Sequence, residues 1–333
     1  MSNARDRAPT GVVILVGLAL LVTVALIATA VGAVPIHLTD VFRAFAGVGD
    51  VSVVAIVRDL RVPRVLLAAC VGAGLAVSGS ALQGTLRNPL AEPYLLGVSG
   101  GAAVGAVVLM AFGVTRPDVV TLGAFAGAAV ATLLVTTIAR VVGGSGDTRL
   151  LLMAGVIVGA FANATILIAL ADAPPEKLRG ALWWMMGSAA DATWPAVARV
   201  ASAVLVLGAL LLWWARELDV LALGDDAAAA LGVDVDRAAR RMFLVASWLA
   251  AATVAAAGLI GFVGLVVPNV ARALGATRHR PMMLVSAVFG ATLLVAADVL
   301  ARTLRAPAEL PLGAVTAIIG VPFFLLRLRR MAS

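Results

Sequence analysis

Along the chain, apolar runs of roughly 20 residues return again and again, separated by short segments that gather the charge, the prolines and many of the glycines. A helix rising 1.5 Å per residue crosses the roughly 30 Å hydrocarbon core of a bilayer in about that length. The pattern predicts strong spans at about 11–33, 61–84, 94–113, 118–142, 149–171, 194–214, 239–260, 282–302 and 311–328. The segment 261–276, GFVGLVVPNVARALGA, is apolar but short and carries Gly264, Pro268 and Asn269. An interrupted helix of this kind is tolerated at membrane depth only where other protein surrounds it.

The stretch from Arg58 to Ala106 is the one around which the rest is arranged. A charged entry leads into a long apolar helix, then a turn bracketed by Pro89 and Pro93, then a second apolar helix. Inside the first helix small residues recur at every fourth position: Ala68, Gly72, Ala76, Ser80 and Gly84. In lipid, helices gain little from hydrophobicity against one another, so such a stripe serves close backbone approach. It predicts a central helix with neighbours on several sides.

Composition fixes the class. The chain has 333 residues, 62% hydrophobic and 13% charged, with a mean hydropathy of +1.07. This is an all-α, polytopic membrane protein, read as a single transmembrane domain over residues 1–333. The net charge of +7 is a sum of scattered arginines, which bears on topology and not on nucleic acid. Cys70 is the only cysteine, so no disulfide forms within the chain. The segment 11–33 is too long and too well followed by further spans for a signal peptide, and is read as the first transmembrane helix.

Charge also counts the crossings. If 261–276 crosses and the N-terminus is cytoplasmic, Arg87, Arg140, Arg149, Arg216, Arg237, Arg240, Arg241, Arg272, Arg278, Arg280, Arg327, Arg329 and Arg330 all fall inside, as the positive-inside rule asks. The expectation is therefore ten helices, one of them short or interrupted, with both termini cytoplasmic. Arg58, Arg61, Arg64, Arg302 and Arg305 are left outside. Either they snorkel at the interface or they form a docking surface for an acidic partner.

The loops add detail. The outside loop 35–60 is long enough for an amphipathic piece lying on the membrane, and the outside loop 172–195 carries Trp183, Trp184 and Trp194, which fit an interfacial belt. The inside loop 216–241 is the longest cytoplasmic connection. In it Gly224-Asp225-Asp226 starts a short helix and Gly232 ends it. A helix so short is not stable alone; it is either an ordinary surface helix or one held by a partner.

Several chemistries are excluded. Lys177 is the only lysine, so no Walker A sequence exists here. His37 and His279 lie far apart without a carboxylate at helical spacing, which argues against a histidine metal site. Gly97-Val98-Ser99-Gly100-Gly101 meets the G-x-S-x-G spacing in a helical setting, without the strand-turn-helix that a nucleophile elbow needs. Asp298, four residues before Arg302, reads as a local ion pair near the outer end.

The motifs resemble the FecCD-type permease subunits of ABC importers for iron siderophores, haem and cobalamin. The matching strings are RVPRVLLAACVGAGLAVSGSALQGTLRNPLAEPYLLGVSGGAAVGA at 61–106, LGVDVDRAARR at 231–241, AAAGLIGFVGLVVPNVARALGATRHR at 255–280 and AADVLARTLRAPAELPLGAVTAIIGVPFFLLRLRR at 296–330. The resemblance implies ten helices per subunit, a second permease (a copy or a paralogue), two cytoplasmic ATPase subunits and an extracytoplasmic substrate-binding protein, in a bacterial inner membrane. It implies no cofactor on this chain, with ATP and magnesium bound by the ATPase. Carried over by position, Arg61, Arg64 and Arg302 would dock the binding protein, and Asp225, Asp226, Ala227, Ala228, Leu231, Gly232 and Val233 would form the helix that couples to the ATPase. Asn88 and Leu90 match a cytoplasmic gate, with Ser145 and Thr148 as its second element. Helices 5 and 10 would line the pathway, where Asn163 is read as an interhelical hydrogen bond or a cargo contact. The expected cargo is a metal chelate, a ferric siderophore before haem or cobalamin. The rival is a secondary transporter driven by an ion gradient.

Overall fold

The computed structural model describes residues 9–32, 34–143 and 148–332, and among them the regular structure is helical throughout. The helices are α1 (Thr10–Ala30), α2 (Leu38–Phe45), α3 (Val51–Ala55), α4 (Val62–Thr85), α5 (Val98–Ala111), α6 (Pro117–Gly143), α7 (Thr148–Ala171), α8 (Pro175–Met186), α9 (Trp194–Leu221), α10 (Asp225–Ala230), α11 (Val235–Ala257), α12 (Val263–Ala273), α13 (His279–Thr303) and α14 (Leu312–Ala332). Seven of the helical segments are long and apolar enough to cross a membrane, and three shorter apolar helices accompany them, in α5, α12 and α14.

Helix α4 is the centre, with 18 of its 24 residues buried. Its small-residue ladder packs against α13 running the other way. A Cβ on Gly72 would lie 2.2 Å from the Gly290 carbonyl oxygen, Ser80 Oγ donates to or accepts from Ser286 Oγ at 2.9 Å, and Gly84 abuts the His279 ring. On another side a Cβ on Gly79 would lie 2.0 Å from the Gly264 oxygen of α12. On a third, Ser78 Oγ donates to the Ala246 oxygen of α11 at 2.6 Å. Only glycine permits backbones this close.

Helix α3 does not stop before α4. It continues through a π-helical turn, Ile56–Arg61, in which the Val62 amide bonds back to the Val57 oxygen. The wider turn shifts the helical phase. Arg58 is exposed while Arg61, three residues on, is buried.

The interrupted segment is explained by its neighbours. Pro268 inside α12 has no N–H for the Gly264 carbonyl, four residues back. Gln83 of α4 supplies a donor instead, its Nε2 lying 3.2 Å from Gly264 O and 3.3 Å from Leu265 O. Between α11 and α12 the chain runs through Gly258 (φ 74°) to Phe262, itself in the left-handed region at φ 69°. Most of α12 is buried, as a broken helix at membrane depth requires.

Candidate functional site: two ends of a membrane bundle

The helix termini gather at two ends. At one, α8 lies beside the C-terminal end of α11, where the Ser188 amide bonds the Ala257 oxygen at 2.8 Å. Lys177 of α8 also donates to the Ala111 oxygen of α5 at 2.9 Å. At the other, α10 follows α9, and Asp219 near the end of α9 caps α13 by accepting from the His279 amide at 2.8 Å.

The three arginines expected to dock a partner come together at the α8 end, but all are engaged within the chain. Arg61 donates through Nη1 to the Thr29 and Ala30 oxygens at 2.8 Å, and through Nη2 to Val34 O, satisfying carbonyls at the end of α1. Arg64 pairs with Asp298 of α13 at 2.9 Å and with Glu309, ahead of α14, at 2.7 Å. Arg302 reaches the Ala28 oxygen and approaches Asp298 at 3.5 Å. Three guanidiniums against two carboxylates leave one positive charge in a cluster that ties α1, α4, α13 and α14 together. The Arg64 hydrogen bonds hold the Glu309 carboxyl below the usual carboxylate range, against the opposing effect of burial.

Asp298 is therefore not only the local partner of Arg302 that its spacing suggests; its closer partner is Arg64. Arg58 and Arg305, by contrast, are exposed at this end. Trp194 donates from its indole to the Arg58 oxygen at 3.2 Å and is 48% exposed, as an interfacial anchor would be.

At the α10 end, α4 closes in a paired cap. The Arg87 amide bonds Gly84 O at 3.3 Å and the Asn88 amide bonds Gln83 O at 3.1 Å. The Asn88 side chain then accepts from the Leu90 amide at 2.9 Å and shapes the turn. Asn269 of α12 donates to Pro89 O at 3.3 Å, and Arg272 links Asn269 to Gln83. The Arg87 guanidinium pairs with Asp225, the first residue of α10. On α10 only Ala228 faces the core, and Val233 packs against the same cluster. Asp226, Ala227 and Gly232 are exposed, and Leu223 and Leu231 flank the helix 64% and 63% exposed. Ser145 lies outside the described residues, and Thr148 opens α7. Asn163 is exposed on α7 and makes no hydrogen bond to another helix among the described residues, so the interhelical bond expected for it is not made there.

Between the two ends lies a cavity of about 300 Å3 walled by Glu92, Tyr94, Met186, Leu259, Phe262 and Ala314, among others. Glu92 is 7% exposed; the Phe262 amide bonds its carboxyl, and its Oε2 has no partner among the described residues. Sequence reasoning passed over Glu92 because a carboxylate next to a proline in a turn reads as solvated.

The model of the FecCD transport family matches residues 19–330. The chain belongs to that family. This FecCD permease is 45% identical, over 82% of its length and 73% of the relative's, to the cobalamin import system permease protein BtuC of Halobacterium salinarum. It is 42% identical, over 80% of its length and 81% of the relative's, to the hemin transport system permease protein HmuU of Yersinia pestis. With the Fe(3+)-citrate import system permease protein YfmE of Bacillus subtilis the identity is 35%, over 95% and 94% of the two chains. A solved structure of a metal-chelate type ABC transporter in an inward-facing conformation matches with a TM-score of 0.85 and 29% identity, over 96% of this chain and 99% of that one. The FecCD chain is thus a membrane permease subunit of an ABC importer.

Proposed function

We propose that this permease carries a metal chelate inward, a ferric siderophore before haem or cobalamin, by alternating access driven by ATP hydrolysis in a separate subunit. The observation that carries this reading is α10. It is a six-residue helix with apolar flanks open to solvent, too short to persist alone and shaped to seat in a partner. In this reading the α10 end is cytoplasmic, two ATPase subunits bearing ATP and magnesium hold the helices of two permeases, and an extracytoplasmic protein delivers cargo at the α8 end. Ten helices cross, with both termini inside. The short α5 and α12 are completed by the 3-10 turn Pro93–Leu96 and the segment 258–262 respectively.

Arg61, Arg64 and Arg302 remain the proposed docking set. Each would receive a carboxylate in the bidentate manner suited to guanidinium, exchanging with Asp298 and Glu309 where these now sit. Asn88 and Leu90, with Ser145 and Thr148, form the proposed gate, and Asn163 faces the pathway or the second permease.

Proteoliposomes test the reading. Permease reconstituted with its ATPase subunits and binding protein should take up ferric siderophore, haemin or cyanocobalamin only when ATP is present. Uptake on an ion gradient without ATPase subunits would favour the secondary transporter instead. Replacing 225–231 with a flexible linker should leave the permease folded and hydrolysis running while uptake stops.

A further inference from the structure

Arg87 occupies a position that its backbone penalises. It is the residue just past the end of α4, in the paired cap described above, at φ 48°. Glycine is the favoured residue there, because any Cβ in the left-handed region crowds the neighbouring carbonyl. A basic side chain there recovers part of that cost from the helix dipole, an effect that specifies no partner. What a long one also brings is contact: the guanidinium reaches across 138 positions of sequence to the carboxylate of Asp225. That carboxylate opens α10, where a negative charge also suits the helix N-terminus.

The turn that follows is gripped from its other side by α12. Asn269 holds the Pro89 oxygen, and Arg272 joins Asn269 to Gln83. The turn bearing Asn88 and Leu90 is thus suspended between α12 and α10. The two contacts differ in character. Asn269 is buried, whereas the Arg87–Asp225 pair is partly open to solvent, 35% and 65% exposed by side chain. Exposed pairs contribute little to stability and exchange readily with water. A contact of that kind suits a link that is made in one state of a transport cycle and released in another.

We propose that Arg87 is a coupling residue: its ion pair with Asp225 ties the gate turn directly to the helix held by the ATPase, so that displacement of α10 is delivered to Asn88 and Leu90 without passing through the length of α9 or α11. The inference rests on the importer reading and adds a route for the motion. Arg87 touches neither nucleotide nor cargo; it acts by position.

The test uses the permease reconstituted with its ATPase subunits and binding protein, with ATP hydrolysis and uptake measured on the same vesicles. Arg87→Gly removes the guanidinium and installs the residue that the backbone prefers. It should keep or raise the melting temperature and leave hydrolysis unchanged, while uptake falls about tenfold. Arg87→Asp and Asp225→Arg should each uncouple likewise, and the exchanged pair, Arg87→Asp with Asp225→Arg, should recover a large part of the loss. Uptake by Arg87→Gly equal to that of the unaltered protein would overturn the link and leave the importer reading intact. So would an exchanged pair no better than either single variant. Absence of ATP-dependent uptake by the unaltered complex would overturn the importer reading, and the link with it.

Discussion

Arg64 and Asp298 stand 234 positions apart in the chain and meet through three hydrogen bonds of 2.9 to 3.1 Å. Asp298 is 1% exposed, and the same carboxylate lies 3.5 Å from Arg302. One acidic side chain thus bridges two guanidiniums at the junction of α4 and α13, which share the most extensive helix pairing in the bundle.

Removing that carboxylate should be costly. Asp298→Ala leaves Arg64 dependent on Glu309 alone and Arg302 without its ion-pair partner among the described residues, with only the more distant Glu309 charge remaining. Breaking a buried pair from one side costs about 3–5 kcal/mol. The expected result is a marked fall in the melting temperature of the detergent-purified permease; a melting curve superimposable on that of the unaltered protein would contradict the assignment.

Glu309 gives the cluster an acid limit. Its carboxyl titrates lower in the folded protein because Arg64 hydrogen-bonds the charged form. A depressed folded value means stability that is present above the unfolded value and lost as pH falls through the folded one. Melting temperature should therefore decline as pH drops below about 4.5, and Glu309→Gln should flatten part of that decline while lowering stability at neutral pH. Equal slopes for the two proteins would show that Glu309 does not carry the effect.

The same cluster qualifies the docking proposal. Reversing Arg61 or Arg64 to Glu should weaken binding-protein capture, and a binding protein with its acidic patch reversed should restore it. Arg61 is buried, the Arg64 side chain is only 12% exposed, and both are internally bonded, so capture is to be read only on variants whose gel-filtration profile matches that of the unaltered permease. Arg305→Glu, at an exposed position, supplies the surface control: full capture by the Arg61 and Arg64 variants with loss only at Arg305 would move the docking site.

Contact through glycine makes a further forecast. Gly72→Val drives carbon into the Gly290 backbone, whereas Gly159 has nothing within 4 Å of a built Cβ. Overpacking of this kind costs about 1–3 kcal/mol, and more where backbone is the obstacle. Gly72→Val should lower the melting temperature by several degrees or abolish folded yield, and Gly159→Ala should change neither.

Glu92 separates fold from function. Its Oε2, without a partner among the described residues, adds nothing to stability, since a buried acceptor without a donor is a penalty. Glu92→Gln keeps an oxygen for the Phe262 amide and should melt within a degree or two of the unaltered protein. If the cavity lies on the cargo path, uptake should drop in the same variant; unchanged uptake would assign the cavity to packing.

The apolar runs, the four-residue ladder of α4 and the capping signals around α10 were legible because each is a local regularity, set by lipid thickness, helical pitch and backbone conformation. The interrupted helix was legible too, since Pro268 announces its own missing donor. The destinations of the charges were not. By spacing alone Asp298 belongs to Arg302, and Arg61 reads the same whether it meets water, a partner or the carbonyls that end α1. Charge-assisted bonds depend on direction and distance between elements hundreds of residues apart, and periodicity carries neither. The sequence by itself determined where the long apolar helices run and which face of α4 packs. Only the tertiary structure decided that Arg64 closes on Asp298, that Glu92 is buried with an oxygen to spare, and that Arg87 reaches the helix carrying Asp225, because those pairings exist only once α4 has been surrounded.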